Sequence, residues 1–304
     1  MVKIKISRRR WGSGSDMKEL TIEITNNCAN KCVHCPSCAL LEWDLQGLDE
    51  ERGESEQIFE LTKPEVIRVL DENPVFDKIR FSGGEPFMHP LLLEFLREAK
   101  KRRKYVEVLT SGNFYFREQP FALINSSREF VDRINISLYG NREVHDNITR
   151  NEGSFDCLDA TVDRILGEKI NFSFNFVAMS KNKDALEDVF RYVCSKKNDY
   201  CNPGINILRI INQGFALGEK YLFLLEAQVS AVAVLSKELS RKYNVPVSLG
   251  CSFAETFCNA GNNKRIFTYN REYFDCSALK GERVNSREIG GSNFLCQERW
   301  GGRV

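Results

Sequence analysis

The chain has 304 residues, of which 42% are hydrophobic and 28% charged, so a disordered or collagen-like protein is excluded. Forty-three Lys and Arg residues against 42 Asp and Glu residues give a net charge of +1, which offers no reason to expect nucleic acid or an anionic membrane as a partner. No apolar run approaches the roughly 20 residues of a membrane span, and the basic N-terminus lacks the apolar stretch of a signal peptide, so we expect a cytoplasmic protein.

Strand-like and helix-like segments alternate along the chain from residue 20 to residue 244. The expected strands are 21–25, 78–82, 105–110, 133–138, 171–178 and 205–211. The expected helices begin at a Thr62–Glu65 capping box and then cover 91–102, 121–130, 155–166, 185–194 and 227–243. This alternation predicts an α/β fold with a parallel sheet, and right-handed crossovers would curl the sheet into a partial (β/α)6 TIM-like barrel.

The first strand leads directly into a cluster of cysteines. The chain has 11 cysteines, an odd number, and no export signal, so metal or redox chemistry is a better explanation than disulfides. Cys28, Cys32 and Cys35 follow one another at spacings that suit either an iron–sulfur cluster or a zinc site. Zinc would need a fourth ligand, for which Cys38 or His34 is available. Spacing alone leaves both metals open.

Three further predicted strands end in polar or glycine-rich segments. They are Gly83-Gly84-Glu85-Pro86, Ser111-Gly112-Asn113 and Ser137-Leu138-Tyr139-Gly140. In a parallel α/β barrel the chemistry lies at the carboxyl ends of the strands, where such segments approach ligands closely. The sequence therefore predicts a ligand site formed by these segments together with the first cysteine loop.

The cysteine loop and the Gly-Gly-Glu-Pro turn, in this order and at these strand ends, resemble the radical S-adenosylmethionine (SAM) superfamily. The resemblance implies that Cys28, Cys32 and Cys35 bind three irons of a [4Fe–4S] cluster, whose fourth iron chelates SAM. One electron would cleave SAM to methionine and a 5′-deoxyadenosyl radical, which takes a hydrogen atom from the substrate. The SAM-contacting residues that the resemblance implies are His34, Gly83, Gly84, Glu85, Pro86, Ser111, Asn113, Asn135, Ser137 and Arg150.

The C-terminal segment carries a second group of four cysteines, Cys251, Cys258, Cys276 and Cys296. No paired Cys-x2-Cys motifs of a zinc ribbon are present, and a predicted hairpin at 265–274 separates the middle two cysteines. This pattern is similar to the twitch or SPASM extensions of the family, which implies one auxiliary [4Fe–4S] cluster; zinc and no metal stay open. The expected units are an N-terminal extension (1–19), the barrel (20–244) and a twitch-like module (245–304).

The twitch-like tail favours a peptide or protein side chain as the substrate, with crosslinking, epimerisation or oxidation as the outcome. The 19 residues before the barrel are too few for a leader-binding domain, so a separate peptide-recognition protein or the barrel itself would recognise the peptide. One alternative is a small molecule such as a sugar or nucleotide, including the GTP cyclisation of molybdopterin synthesis. Another is an iron–sulfur scaffold without catalysis. The enzyme would also need an electron donor such as flavodoxin or ferredoxin.

Overall fold

A computed structural model of the chain describes residues 17–37, 39, 57–114, 120–250, 253, 263–277 and 280. The strands in these residues are β1 (Glu19–Glu23), β2 (Lys78–Ser82), β3 (Tyr105–Thr110), β4 (Arg133–Ser137), β5 (Phe172–Ala178), β6 (Ile205–Arg209), β7 (Val247–Leu249), β8 (Lys264–Phe267) and β9 (Tyr273–Phe274). The α-helices are α1 (Lys63–Glu72), α2 (Leu92–Lys101), α3 (Pro120–Ser127), α4 (Arg142–Thr149), α5 (Ser154–Gly167), α6 (Leu186–Ser195) and α7 (Glu226–Tyr243).

All of these strands belong to one sheet, in the order β7-β6-β5-β4-β3-β2-β1-β8-β9. Every neighbouring pair is parallel except β8 and β9, which form an antiparallel hairpin. Because consecutive strands from β1 to β7 are spatial neighbours, right-handed crossovers place the intervening helices on the same face. The predicted α/β fold is confirmed, and the topology is consistent with a partial TIM barrel.

The structure adds three features to the predicted order. Helix α4 begins at Asn141, whose side-chain oxygen accepts a hydrogen bond of 3.1 Å from the Val144 amide, as an N-cap does. Strand β7 extends the sheet beyond β6. The predicted hairpin forms, and its first strand β8 pairs with β1. The C-terminal strands therefore share a sheet with the barrel, and the expected division at residue 244 stays a prediction.

Side chains alternate between the two faces of the sheet, as the pleat requires. The face toward the helices is apolar, with Ile22, Ile79, Phe81 and Val108 fully buried among the helix side chains. Burial of such residues supplies the main favourable free energy of the fold, about 25 cal/mol per Å² of apolar surface. The opposite face is the concave interior of the barrel, and it is polar.

Toward the starts of β1–β3, this interior face carries two acids and two bases that pair with each other, whereas Glu23 at the end of β1 pairs with Lys280. The Arg80 guanidinium lies between Glu19, at 2.5 Å, and Glu107, at 2.9 Å. The Lys78 ammonium lies 3.1 Å from Glu19 and 2.8 Å from Glu107. The four charges sum to zero.

On the β4–β7 side, the buried and half-buried polar side chains of the interior face are uncharged, and the cation Arg133 lies exposed at the start of β4. Asn135 accepts a hydrogen bond of 2.5 Å from Ser173 and donates one of 3.2 Å to Glu107. Farther along the sheet, Asn206 donates to Asn175 at 2.9 Å. Beyond Arg133, this half of the barrel therefore presents amides and hydroxyls without a formal charge.

In the described part of the chain, no helix combines the length and apolar composition needed to cross a membrane.

Candidate active site at the carboxyl ends of the strands

The cysteine loop leaves the carboxyl end of β1, at the edge of the sheet where the sequence places it. Cys28 is buried, whereas Cys32 and Cys35 are partly exposed. The backbone of the loop is fixed by main-chain hydrogen bonds of 2.9 Å from Lys31 to Thr149 and from Val33 to Ile148, at the end of α4. Helix α4, which the sequence did not predict, is thus the support of the loop.

The two glycines after β2 lie directly against the chain that enters the cysteine loop. The Gly84 amide donates to the Thr25 carbonyl at 2.6 Å, and the next amide donates to the Asn27 carbonyl at 2.7 Å. A Cβ atom on Gly83 would lie 2.2 Å from the Thr25 oxygen, and one on Gly84 would lie 2.3 Å from the Asn27 oxygen. Glycine is required at both positions because two backbone segments touch there. The resemblance implies a further role toward SAM, which stays a prediction.

The Glu85 carboxylate connects this turn to the end of β3. It accepts hydrogen bonds of 2.7 Å from the Thr110 hydroxyl, the Ser111 amide and the Ser111 hydroxyl, and one of 3.1 Å from the Phe87 amide. Burial raises the pKa of Glu85, and these donors oppose the rise. The carboxylate thus holds together two of the predicted segments, and Pro86 is buried in the turn that follows it.

A third contact with the cysteine loop comes from the segment after β6. Gly214 has a φ of +56°, and a Cβ atom at this position would lie 2.2 Å from the Cys35 carbonyl oxygen. The next residue, Phe215, donates its amide to the same oxygen at 3.0 Å. The sequence offered no motif that singled out Gly214, because its role depends on a contact with a residue far away in the chain.

Aromatic side chains line the inner side of the loop. The His34 ring meets the Tyr139 ring edge-on, with centroids 4.8 Å apart, and the other face of Tyr139 stacks on His145 at 5.4 Å. Tyr139 and Cys32 belong to the same apolar cluster, which also contains Val33 and Ile148. Burial lowers the pKa of both histidines to about 4, so at neutral pH these rings are uncharged.

The remaining predicted SAM contacts have these positions. Asn113 donates a hydrogen bond of 2.8 Å to Asn30 in the cysteine loop. Asn135 lies farther inside the barrel and bonds to Glu107 and Ser173. Ser137 is the last residue of β4 and is partly exposed. Arg150 is exposed just after α4, in a left-handed conformation, and its charge acts on Cys32. The strand-end segments therefore surround the cysteine loop, whereas Asn135 belongs to the interior face.

The chemistry of the cysteine loop fits a metal cluster and a polar ligand. Burial raises the pKa of the Cys28 and Cys32 thiols, so a nearby cation such as iron is needed to hold them as thiolates at neutral pH. Three buried polar atoms of the loop have no hydrogen-bond partner in the described part of the chain: Asn27 Oδ1, Asn30 Nδ2 and His34 Nδ1. Each unsatisfied atom costs about 1–3 kcal/mol, a cost that a bound polar group would relieve.

Among the described residues, no three His, Cys, Asp or Glu side chains are arranged to hold a single metal ion. In the second cysteine group, Cys276 lies just after the edge strand β9, which β8 separates from β1, and it is partly exposed. Cys251, Cys258 and Cys296 lie outside the described residues, as does Cys38.

The model of the radical SAM superfamily matches residues 22–193 of the chain. A probable GTP 3′,8-cyclase of Methanocella arvoryzae is 29% identical over 189 residues, which are 60% of this chain and 55% of that one. The subtilosin biosynthesis protein AlbA of Bacillus subtilis is 33% identical over 136 residues, 44% of this chain and 27% of that one. This chain thus spans a little over half the length of the cyclase.

Two solved structures share the fold. Streptococcus suis SuiB bound to S-adenosylmethionine superposes with a TM-score of 0.66 at 12% identity, over 95% of this chain and 68% of that one. The anSMEcpe structure with bound AdoMet gives a TM-score of 0.61 at 15% identity, over 92% of this chain and 82% of that one.

Proposed function

Because the chain belongs to the radical SAM superfamily, we propose that it takes a hydrogen atom from a peptide or protein side chain, with a [4Fe–4S] cluster held by Cys28, Cys32 and Cys35. When bound, the cluster supplies the electron that cleaves SAM reductively to methionine and a 5′-deoxyadenosyl radical. The chain's own residues bind these groups, orient them and keep water away from the reacting atoms.

The observation that carries the proposal is the convergence on one loop of three thiols and three unpartnered polar atoms. The thiols provide the iron ligands. Asn27 Oδ1 can accept a hydrogen bond and Asn30 Nδ2 can donate one, so the loop suits ligands that carry both donors and acceptors. The diglycine turn, the end of α4 and the segment around Gly214 hold this loop in place.

The barrel interior supports a peptide as the substrate. A nucleoside triphosphate requires several cations that are available to its phosphates. The interior cations on β2, Lys78 and Arg80, are instead engaged by Glu19 and Glu107. Asn175 and Asn206 bond to each other but are partly exposed, and each amide has more donors and acceptors than this one bond uses, which suits the amide groups of a peptide backbone. SuiB, whose fold is similar, has also been solved with its precursor peptide SuiA.

A small-molecule substrate is the second candidate. Relatives named as probable GTP 3′,8-cyclases match 60–65% of this chain, and the substrate in that name is a nucleotide. Their identity of 24–29% supports the same catalytic core and leaves the substrate open.

We also propose that the C-terminal segment is a twitch-like module with one auxiliary [4Fe–4S] cluster, bound by Cys251, Cys258, Cys276 and Cys296. The hairpin of β8 and β9 supports this assignment, because it joins the sheet next to β1 and brings Cys276 to the end of the edge strand β9. A small electron-transfer protein, flavodoxin or ferredoxin, would deliver the electron, and a separate peptide-recognition protein is a further expected partner.

The test is anaerobic reconstitution with iron and sulfide, followed by dithionite and SAM. We expect about eight irons per chain and formation of 5′-deoxyadenosine. Replacing Cys28, Cys32 and Cys35 by Ala is expected to remove about four irons and all cleavage, whereas replacing the four C-terminal cysteines removes the others and leaves uncoupled cleavage. Full iron loading without 5′-deoxyadenosine would favour a scaffold. GTP and candidate peptides are then added separately. The substrate class is the one that accelerates SAM cleavage and from which a hydrogen atom is removed.

A further inference from the structure

Asn30 lies between the first two cysteines of the loop and is 1% exposed. Its side-chain oxygen accepts three hydrogen bonds, from Asn113 Nδ2 at 2.8 Å, Asn151 Nδ2 at 3.1 Å and Ser154 Oγ at 3.3 Å. Asn151 Nδ2 also donates to the Ala29 carbonyl oxygen at 2.9 Å; because a carbonyl only accepts, this Asn151 atom is the nitrogen and the Asn30 atom that it bonds is the oxygen. The orientation of the Asn30 amide is therefore fixed.

The nitrogen of the same amide points away from this group of donors. It is buried and has no acceptor within the described ranges. The backbone amide of Asn30 already donates to the Cys28 sulfur at 3.4 Å. A buried N–H group without an acceptor costs free energy and calls for an explanation. Asn30 stands in the sequence between Cys28 and Cys32, two of the proposed cluster ligands.

We infer that the Asn30 side-chain amide donates a hydrogen bond to a sulfur of the cluster bound by Cys28, Cys32 and Cys35, and that this bond raises the reduction potential of the cluster. Asn30 is thus a tuning residue that adjusts how easily the cluster accepts its electron. The inference rests on the cluster of the proposed function. Hydrogen bonds to sulfur set the potentials of iron–sulfur clusters, because a donor stabilises the more negative, reduced state. The proton stays on the amide nitrogen throughout.

The first test is spectroscopic and uses the unaltered protein. The full chain is prepared with ¹⁵N at the asparagine side-chain amides, reconstituted, reduced without SAM and studied by pulsed EPR. We expect a weakly coupled ¹⁵N nucleus, which is lost in Asn30→Asp, since that variant keeps an acceptor for Asn113, Asn151 and Ser154 but has no amide. A reduced cluster in the wild type without such a coupling overturns the inference. Absence of any cluster instead contradicts the proposed function, so the two failures are distinguishable.

The second test is a redox titration at pH 8.5, where the introduced carboxylate is ionised. At a fixed potential we expect the ratio of reduced to oxidised cluster to fall about tenfold in Asn30→Asp, which corresponds to about 59 mV for one electron. Ser154→Ala removes a donor to the Asn30 oxygen and leaves the amide nitrogen in place, so its ratio is expected within about twofold of the wild type. A wild-type ratio in Asn30→Asp, or an equal fall in both variants, refutes the tuning role.

Discussion

The Glu85 carboxylate binds both the backbone amide and the hydroxyl of Ser111, at 2.7 Å each, and so joins the turn after β2 to the end of β3. The resemblance to radical SAM enzymes assigns this glutamate a place near the SAM amine. In the structure, all four of its described hydrogen bonds go to protein donors. Its first effect is therefore on the shape of the site.

We expect Glu85→Gln to destabilise the apo protein by about 2 kcal/mol, because the amide nitrogen of glutamine would face a donor and leave it unsatisfied. Urea unfolding under anaerobic conditions measures this loss. Glu94→Gln is the matched control, since Glu94 forms an exposed ion pair with Lys63 and its replacement is expected to cost under about 1 kcal/mol. Equal stabilities of the two variants would contradict the structural role of Glu85.

The segment after β6 allows a matched pair of glycine substitutions. Gly214→Ala forces a Cβ atom against the Cys35 carbonyl, which would lie only 2.2 Å away, whereas Gly218 has a φ of +80° and no atom within 4 Å of its Cβ position. Both variants strain the backbone, but only Gly214→Ala displaces the cysteine loop. We expect Gly214→Ala to lose at least half of the iron at the Cys28, Cys32 and Cys35 site while Gly218→Ala retains it. Iron counts in a background without the four C-terminal cysteines measure the effect.

The ion pairs of the barrel interior predict a large effect of Arg80. Without this guanidinium, the two carboxylates of Glu19 and Glu107 share a single ion-pair partner, Lys78, among the described residues. Because uncompensated buried charge is costly, we expect Arg80→Met to destabilise the protein by about 3 kcal/mol. Lys63→Met, on the exposed pair, is the control and is expected to change stability by less than about 1 kcal/mol. A small effect of Arg80→Met would show that water reaches these carboxylates.

His145 predicts a pH dependence of stability. Burial lowers its pKa from 6.5 to about 4, so the unfolded chain binds the proton more tightly than the folded chain does. The contribution is fully present above about pH 7 and falls as the pH drops from 6.5 toward 4. Between pH 7.5 and pH 5 the loss amounts to about 2 kcal/mol.

The measurement is urea unfolding of the apo protein at these two pH values, for the wild type and for His145→Gln. The difference between the two proteins isolates the histidine, because the other titrating groups are common to both. We expect the glutamine variant to lose about 2 kcal/mol less than the wild type over this range. An identical pH dependence of the two proteins would disprove the prediction.

Local patterns predicted the fold and the strand-end segments. Alternation of strands and helices predicted the parallel sheet, and the Thr62–Glu65 capping box is present, with the Glu65 carboxylate 2.7 Å from the Thr62 amide. Helix α4 was missed because its short length and polar residues resemble a loop. The pairing of β8 with β1 was missed because it joins residues some 245 positions apart, and no local pattern encodes such a contact.

The parts of the site that depend on distant contacts were also missed. Tyr139 was noted only as part of a motif, yet its ring contacts the rings of both His34 and His145. Asn30 was a spacer residue in the cysteine motif, and its three hydrogen-bond donors come from residues 113 to 154. Such roles arise from tertiary packing, whereas thiol spacing and glycine pairs can be recognised in the sequence alone.

The contacts that hold the cysteine loop in place have a consequence for the synthesis of the protein on the ribosome. Its backbone and the residues leading into it form main-chain hydrogen bonds with the turn at residues 83–85, the end of α4 and the segment at 214–215. The ribosome must therefore have released about 190 residues after Cys28 before the last of these contacts, from Phe215 to Cys35, can form. We expect the cysteine loop of the nascent chain to lack its final conformation until then. Maturation factors would therefore deliver iron and inorganic sulfide after synthesis of the barrel rather than during it.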